Sequence, residues 1–442
     1  MDTLRGQLLR LTIPIFVEIA LVMLVGFVDM LMLSSCGDGA VAAVGLATQI
    51  ITLTVLVYRL AASGVAVVCA QYHGARLRKR LVQVVGIALI FNALLGFGAS
   101  AFLYINAELI LRMMGLRDNL MADGVAYLRI AGALSFFQAL SFTFSASLRS
   151  VDRVRSPMLA TAIANVVNVV GNYLLIFGHY GCPALGVAGA AWATVASQGV
   201  AMTILLVHHT QVHIRRYPLA WFRPFPWREF VVIFKIGLPA MAEEFSYCLS
   251  QAVAIYFINQ ISTEALTTRT YVANSVMFTF LFGISLVQGG DILVGHHVGR
   301  SRYKAAYLLG KLFYRRSIAV TLCCSGVLAL IGPWVLSFFT SNSEIIRLGA
   351  VILWIDCVLE IGRMRTIFAC WTLRAVGDVF YPMCVGVTFQ WLIAVGLFWV
   401  VAIFLEGGLV GAWCVFALDE NVRGCVLVRR WHARAWMGKS LA

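Results

Sequence analysis

Two acidic residues stand in the first long apolar stretch of the chain, between Arg10 and Gly37. Glu18 and Asp29 are flanked there by leucine, valine and isoleucine. Charged side chains are costly at the depth of a bilayer, so such acids are candidates for a functional site that binds a cation or exchanges a proton. A separation of 11 residues is about three helical turns, so both carboxylates lie on one face, about 16 Å apart along the axis. The structural alternative places Glu18 in a polar cluster and Asp29 near the outer water layer.

Three asparagines lie on a later apolar segment, the fifth of the chain. Asn168 and Asn172 are four residues apart and share a helical face, and Asn165 lies nearby. Amides inside a membrane need partners, so these side chains either bond a neighbouring helix or line a polar cavity opposite Asp29.

A second group of charges lies in the carboxyl-terminal half. Asp356, Glu360 and Arg363 fall on one face of the tenth segment, at spacings of four and three. Glu360 and Arg363 either form a structural ion pair or belong to a cation site. Glu243 and Glu244 on the seventh segment add more acid than Arg363 alone would neutralise.

Two further charges at membrane depth have open roles. Arg59 either pairs with Asp29 or Glu18, or contacts an anionic part of a ligand. Asp291, near the end of the eighth segment, is a weaker candidate site residue.

The sequence offers little evidence of a catalytic or metal-binding motif. HExxH, GxSxG and the phosphate-binding GxxxxGK[ST] are absent, so we expect neither an enzyme nor a bound cofactor. The HHxxxH pattern of His208, His209 and His213 is typical of solvated histidines at a membrane interface rather than a metal site. The 11 cysteines lie mostly inside apolar runs and are interpreted as packing residues.

The elements that must position these residues are membrane spans. Of 442 residues, 61% are hydrophobic and 12% charged, far from the roughly 25% charged of a soluble domain. Apolar runs of membrane length predict twelve helices, so the fold class is an all-α integral membrane protein. The runs are 11–35, 40–72, 81–105, 122–147, 158–178, 187–208, 229–260, 265–298, 307–331, 345–372, 382–405 and 408–428.

The two halves of the chain are repeats. Arg10, Pro14 and Glu18 recur 225 residues later as Lys235, Pro239 and Glu243, and LRSVDRVRSPM at 148–158 recurs as LRAVGDVFYPM at 373–383. Six helices per half is an even number, so the two repeats are parallel. The predicted domains are an amino-terminal lobe at 1–209, a cytoplasmic linker at 210–228, and a carboxyl-terminal lobe at 229–442 with a short tail.

The net charge of +14 is spread in short basic clusters between the apolar runs. This pattern is typical of cytoplasmic loops and argues against nucleic-acid binding. It predicts a multi-pass protein of the plasma (cytoplasmic or inner) membrane with both termini in the cytosol.

At these residues the chain resembles the multidrug and toxic compound extrusion (MATE) family. The similarity rests on Val28-Asp29 after Pro14, AVAAVGLATQI, the LLIFG helix, IGLPAMAEE, TEALTTRTYVANS, ILVGHHVG and LEIGR followed by LRAVGD. It implies two six-helix lobes around a V-shaped cavity, and export coupled to inward H⁺ or Na⁺ by alternating access. Asp29 matches the family's first-helix aspartate, implicated in cation coupling.

The same resemblance places the other candidates. Asn168 and Asn172 match polar positions of the fifth helix, and Asn172 stands where some archaeal members have aspartate. The tenth-helix acid of some sodium-coupled members falls on Arg363, with Glu360 one turn away.

The function we expect is a secondary active exporter, a monomeric antiporter of small amphipathic and cationic organic compounds. One isolated carboxylate favours H⁺ over Na⁺ as the coupling ion. The main alternative is a flippase for lipid-linked glycans, which would need a more cationic cavity. An intramembrane enzyme, a passive channel and a receptor are weaker hypotheses.

Overall fold

Apolar runs in this chain form helices because a helix satisfies its backbone hydrogen bonds within one segment. The computed structural model describes residues 2–212 and 218–441, with the side chains of residues 2–5 and 219 left out. This part of the chain contains fourteen α-helices. They are α1 Asp2–Ser34, α2 Asp38–Gly74, α3 Arg78–Met113, α4 Asp118–Ala133, α5 Phe136–Arg149, α6 Arg155–Phe177, α7 Val187–Val212, α8 Trp227–Ile261, α9 Thr263–Val276, α10 Leu281–Gly299, α11 Tyr303–Ser337, α12 Ser343–Ala375, α13 Phe380–Trp391 and α14 Gly408–His432.

These helices account for the twelve predicted spans and confirm the all-α membrane fold. Among the described residues, 7 helices are long and apolar enough to cross a bilayer, and two bent pairs raise the number to 9. The remaining three spans are α8, α12 and α14, which have 35, 33 and 25 residues and carry charges in their interiors. Two π-helical segments, Leu392–Leu397 and Trp399–Phe404, continue the span that α13 begins.

Two predicted spans, 122–147 and 265–298, are each divided into two helices with a bend between them. The first consists of α4 and α5, bent by 43°, and the second of α9 and α10, bent by 52°. At the first bend, Ser135 lies between the helices and its Oγ is 2.8 Å from Tyr58 Oη and 3.1 Å from Ser100 Oγ. The hydroxyls of Tyr58 and Ser100 thus form hydrogen bonds with Ser135 at the point where the helix is interrupted.

Helices extend beyond the predicted apolar runs. The run at 307–331 lies inside α11, which has 35 residues. A helix of this length is about 52 Å long, whereas the hydrocarbon core of a bilayer is about 30 Å thick. The charged ends of such helices therefore continue past the membrane, where sequence hydropathy gives no signal for them.

The chain forms two compact units. One consists of Val17–Gly237, and the other of Met1–Phe16 together with Leu238–Ala442. Each unit therefore contains part of α1 and part of α8, and each division falls near a proline within the helix, Pro14 or Pro239. The predicted lobes and the linker at 210–228 stay a prediction, and residues 213–217 of that linker lie outside the described part.

Contacts within each unit fix these helix segments. In the unit that holds the chain start, Thr12 is fully buried and packs on Gly289 of α10. In the other unit, a Cβ at Gly237 of α8 would clash with the carbonyl oxygen of Leu60, so only glycine permits this approach to α2.

Candidate functional site

Asp29 on α1 meets the polar face of α6. Asn172 Nδ2 donates a hydrogen bond of 2.6 Å to Asp29 Oδ1, and a weaker one of 3.3 Å to Asn168 Oδ1. Asn172 is 1% exposed, while Asp29 is half-buried. The structure thus brings together three of the predicted site residues, in the arrangement that places the asparagines opposite Asp29.

Tyr127 on α4 belongs to the same neighbourhood, although sequence reasoning missed it. Its buried ring lies within electrostatic range of Asp29, and its hydroxyl interacts with the side chains of Thr48 and Thr194. A single tyrosine in an apolar run has no spacing signal, so only the packing of α4 reveals this position.

Glu18 has a different partner. Arg149, the last residue of α5, donates to Glu18 Oε1, and the two side chains are 23% and 8% exposed. One turn farther along α1, Asn165 Nδ2 donates to the Leu21 carbonyl oxygen at 2.7 Å. Arg149 belongs to one of the short basic clusters that are typical of cytoplasmic loops, but its side chain turns inward and compensates a buried acid.

Glu243 in the other unit is bound in the same way. Arg374, near the end of α12, donates to Glu243 Oε2, and Cys370 Sγ lies 3.3 Å from Oε1. Gly386 of α13 leaves room for this carboxylate, since a Cβ there would lie 3.0 Å from Glu243 Cγ. Glu244 is half-buried beside it.

The predicted face of α12 is a network of buried polar contacts. Arg363 donates to the fully buried Glu360, so the ion-pair interpretation of this spacing describes the contact. The Arg363 guanidinium also lies 5.2 Å from the centre of the Phe280 ring. One turn away, Trp413 Nε1 donates to Asp356 Oδ1 at 3.3 Å.

A charged triad on α14 was missed in the sequence. Arg423 lies 3.0 Å from Asp419 Oδ2 and 2.5 Å from Glu420 Oε1, and all three residues are buried. Spacings of four and three could have indicated this triad. It was overlooked because it lies within the apolar 408–428 run.

The remaining candidates are Arg59, Asp291 and the histidines. Arg59 on α2 is exposed. Asp291 accepts a hydrogen bond of 2.7 Å from Thr372 Oγ1. His209 is fully buried with its Nδ1 3.0 Å from Ser147 Oγ, so the expectation of a solvated histidine is wrong there. His213 lies outside the described residues.

Comparisons with known proteins agree on one family. The MatE family model matches residues 14–174 and 239–400, once in each repeat. A protein named an uncharacterized transporter, YisQ of Bacillus subtilis (strain 168), is 35% identical over 99% of this chain and 96% of its own length. A probable multidrug resistance protein NorM of Thermotoga maritima is 24% identical over 98% of this chain and 94% of its own.

Solved structures show the same fold. An outward-facing multidrug resistance MATE transporter of the MOP superfamily superposes with a TM-score of 0.87, 19% identity, and coverage of 98% of this chain and 97% of that one. A point mutant of the Vibrio cholerae MATE transporter VcmN gives a TM-score of 0.89, 16% identity, and coverage of 98% and 97%.

Proposed function

The chain belongs to the MATE family of multidrug efflux transporters, and we propose that it exports small amphipathic organic cations in exchange for protons. The carrying observation is the contact between Asp29 and Asn172. The basic clusters described above support a plasma-membrane protein with both termini in the cytosol. We further propose that it acts as a monomer.

The two acids of α1 differ in how their charge is met. Glu18 has an arginine, so its charge is compensated by an ion pair. Asp29 receives a hydrogen bond from a neutral amide, which stabilises a carboxylate but leaves its negative charge. A half-buried carboxylate of this kind attracts a cation, and a proton and an organic cation compete for it.

Asn172 suits both protonation states of Asp29. Its amide nitrogen donates to the carboxylate, and its Oδ1 is buried without a hydrogen-bond partner among the described residues. When Asp29 takes up a proton, rotation of the amide presents Oδ1 as the acceptor for the new O–H. The site then keeps a hydrogen bond as the charge disappears.

The exchange follows from this competition. An ionised Asp29 holds an organic cation, and protonation removes the charge that holds it, so release of the cation and uptake of the proton become coupled events. We favour a proton over Na⁺, because this contact offers a single carboxylate, whereas Na⁺ needs a shell of several oxygen ligands.

Acids of the other unit give less support for a coupling role. Glu243 is paired with Arg374 and Glu360 with Arg363, so each carboxylate already has a cation. Among the described residues, no contact favours the glycan flippase.

The test uses purified protein in liposomes loaded with a fluorescent lipophilic cation. A pH gradient and a Na⁺ gradient are imposed separately on the wild type, Asp29→Asn and the control Glu108→Gln, which removes an exposed acid paired with Arg112. We expect the pH gradient to drive transport in the wild type and the control, and not in Asp29→Asn. Transport that follows only the Na⁺ gradient, or that survives Asp29→Asn, contradicts the proposal.

A further inference from the structure

The carboxyl-terminal tail is folded onto the beginning of α11. Trp431 and Trp436 are buried and stacked, with ring centroids 4.7 Å apart, and Trp436 Nε1 donates to the Trp431 carbonyl oxygen at 3.1 Å. Gly310 of α11 permits this approach, since a Cβ there would lie 2.5 Å from the Trp431 ring. The side chains that follow Trp431 therefore have fixed positions.

Three basic side chains gather around Tyr307 through this contact. Tyr307 Oη lies 3.0 Å from His432 Nδ1, and the Arg434 guanidinium lies 4.7 Å from the centre of the Tyr307 ring. Lys311, one helical turn along α11, lies within electrostatic range of His432. We call Tyr307, Lys311, His432 and Arg434 the α11–tail cluster.

The cluster continues as a basic stripe on α11. Lys304, Lys311 and Arg315 are exposed and follow at spacings of seven and four, which places them on one helical face. Beside them, Leu308 is 64% exposed. Since α11 is about 20 Å longer than the bilayer core and its cations lie near its beginning, we infer that its first turns reach the headgroup layer.

Only part of this stripe is shared by the two repeats, since Lys304 corresponds to Lys79. The residues that precede Lys311 and Arg315 by 225 positions are Gly86 and Ile90 on α3, and Ile90 is 58% exposed. The first repeat therefore has a buried glycine and an exposed isoleucine where the second repeat has two exposed cations.

The acid beside the tail is already bound. Asp378 accepts hydrogen bonds from Arg430 Nε at 3.0 Å and from Lys439 Nζ at 2.6 Å. The charge of Asp378 is therefore compensated by Arg430 and Lys439, whereas Lys311, His432 and Arg434 are exposed.

We propose that the α11–tail cluster binds the phosphate headgroup of an anionic phospholipid. Lys311 and Arg434 supply charge, the hydroxyl of Tyr307 and the ring of His432 supply hydrogen bonds, and Leu308 contacts an acyl chain. Basic pockets between membrane helices at the headgroup level bind anionic lipids in this manner.

The test counts lipids on the intact protein by native mass spectrometry. Phosphatidylglycerol and phosphatidylcholine are added in equal amounts to detergent-purified wild type and to Lys311→Gln/Arg315→Gln/Arg434→Gln. The matched control, Lys79→Gln/Arg112→Gln/Arg117→Gln, removes three exposed cations of the first repeat. We expect affinity for phosphatidylglycerol to fall about fivefold for each charge removed from the stripe and cluster, and to hold in the control.

Several results would overturn the proposal. Equal losses in both triple variants would mean diffuse attraction by net charge, and no loss in either would mean that the cluster binds no lipid. Displacement of the lipid by excess inorganic phosphate would assign the site to a soluble anion. Lys311→Gln and Arg434→Gln are measured singly as well, with unfolding curves, so that a folding defect in the triple variant does not decide the result.

Discussion

Glu243 lies against Arg374, 131 residues farther along the chain, and the same separation divides Glu18 from Arg149. The two ion pairs are related by the 225-residue offset of the repeats. Each joins the first helix of its repeat to the end of a helix in the same compact unit. Duplication has thus preserved a contact between distant residues as well as a sequence pattern.

Removing the arginine from either pair should destabilise the protein. In Arg149→Leu or Arg374→Leu, a buried carboxylate loses its cation, at a cost of about 3–5 kcal/mol. The double exchange Glu18→Arg/Arg149→Glu should regain part of this loss. Unfolding curves in detergent measure the effect, and Arg112→Leu is the control, because that side chain is 61% exposed and its pair with Glu108 contributes little. Equal curves for Arg149→Leu and Arg112→Leu would sink the assignment.

Asn172 and Asn168 should differ in their effect on coupling. Asn172→Leu removes the donor to Asp29, whereas Asn168→Leu removes only the acceptor behind it. A hydrogen bond to a charged group contributes about 1.5–3 kcal/mol, so we expect pH-driven transport to fall about tenfold or more in Asn172→Leu and less in Asn168→Leu. Initial rates in liposomes give the comparison. A larger loss in Asn168→Leu would mean that Asn172 is not the partner that matters.

Gly362 should not tolerate alanine. A Cβ there would lie 2.5 Å from the Asn421 backbone nitrogen, so α12 and α14 would have to separate, at a cost of about 1–3 kcal/mol. Gly326→Ala on α11 is the matched control, since a Cβ there meets nothing within 4 Å, and it should leave stability unchanged or raised. Thermal unfolding midpoints in one detergent rank the two variants. A midpoint for Gly362→Ala at or above that of the control would mean that the helices are not in contact at this glycine.

Replacing Arg423 alone should destabilise the protein more than replacing all three residues of the triad. Arg423→Met leaves Asp419 and Glu420 buried without their cation, whereas Asp419→Asn/Glu420→Gln/Arg423→Met removes every charge. Breaking a buried ion pair costs about 3–5 kcal/mol, and neutralising all partners costs far less. The free energy of unfolding should therefore be higher in the triple variant than in Arg423→Met. The reverse order would show that the arginine is dispensable.

Sequence alone could predict the twelve spans, because hydropathy and length are local properties of the chain.

The repeat also contains a contrast between the two acids of α1. Glu18 recurs as Glu243 and each has its arginine, whereas Asp29 corresponds to Ala254 and has an amide partner. The repeated acid takes part in an ion pair shared by both halves, and the unrepeated acid is the candidate for transport chemistry.

Other features depended on packing and could not be predicted. Arg149 and Arg374 each pair with a glutamate 131 residues earlier in the chain. From the sequence alone, a basic residue at a helix end cannot be distinguished from a loop cation, because the direction of its side chain is unknown. At the bend, the hydroxyl of Ser135 has partners on two other helices, which the sequence of the 122–147 run alone does not indicate.

The division of α1 and α8 bears on how such a chain arose. Each compact unit is completed by the opening helix of the other repeat, up to Phe16 in one case and up to Gly237 in the other, and Phe16 corresponds to Met241 in the repeat register. A chain of one repeat with this arrangement would form the compact unit only by exchanging that segment with a second copy, as in a domain-swapped dimer. In this chain the exchange is internal, so a cut in the linker would separate each compact unit from the segment that completes it.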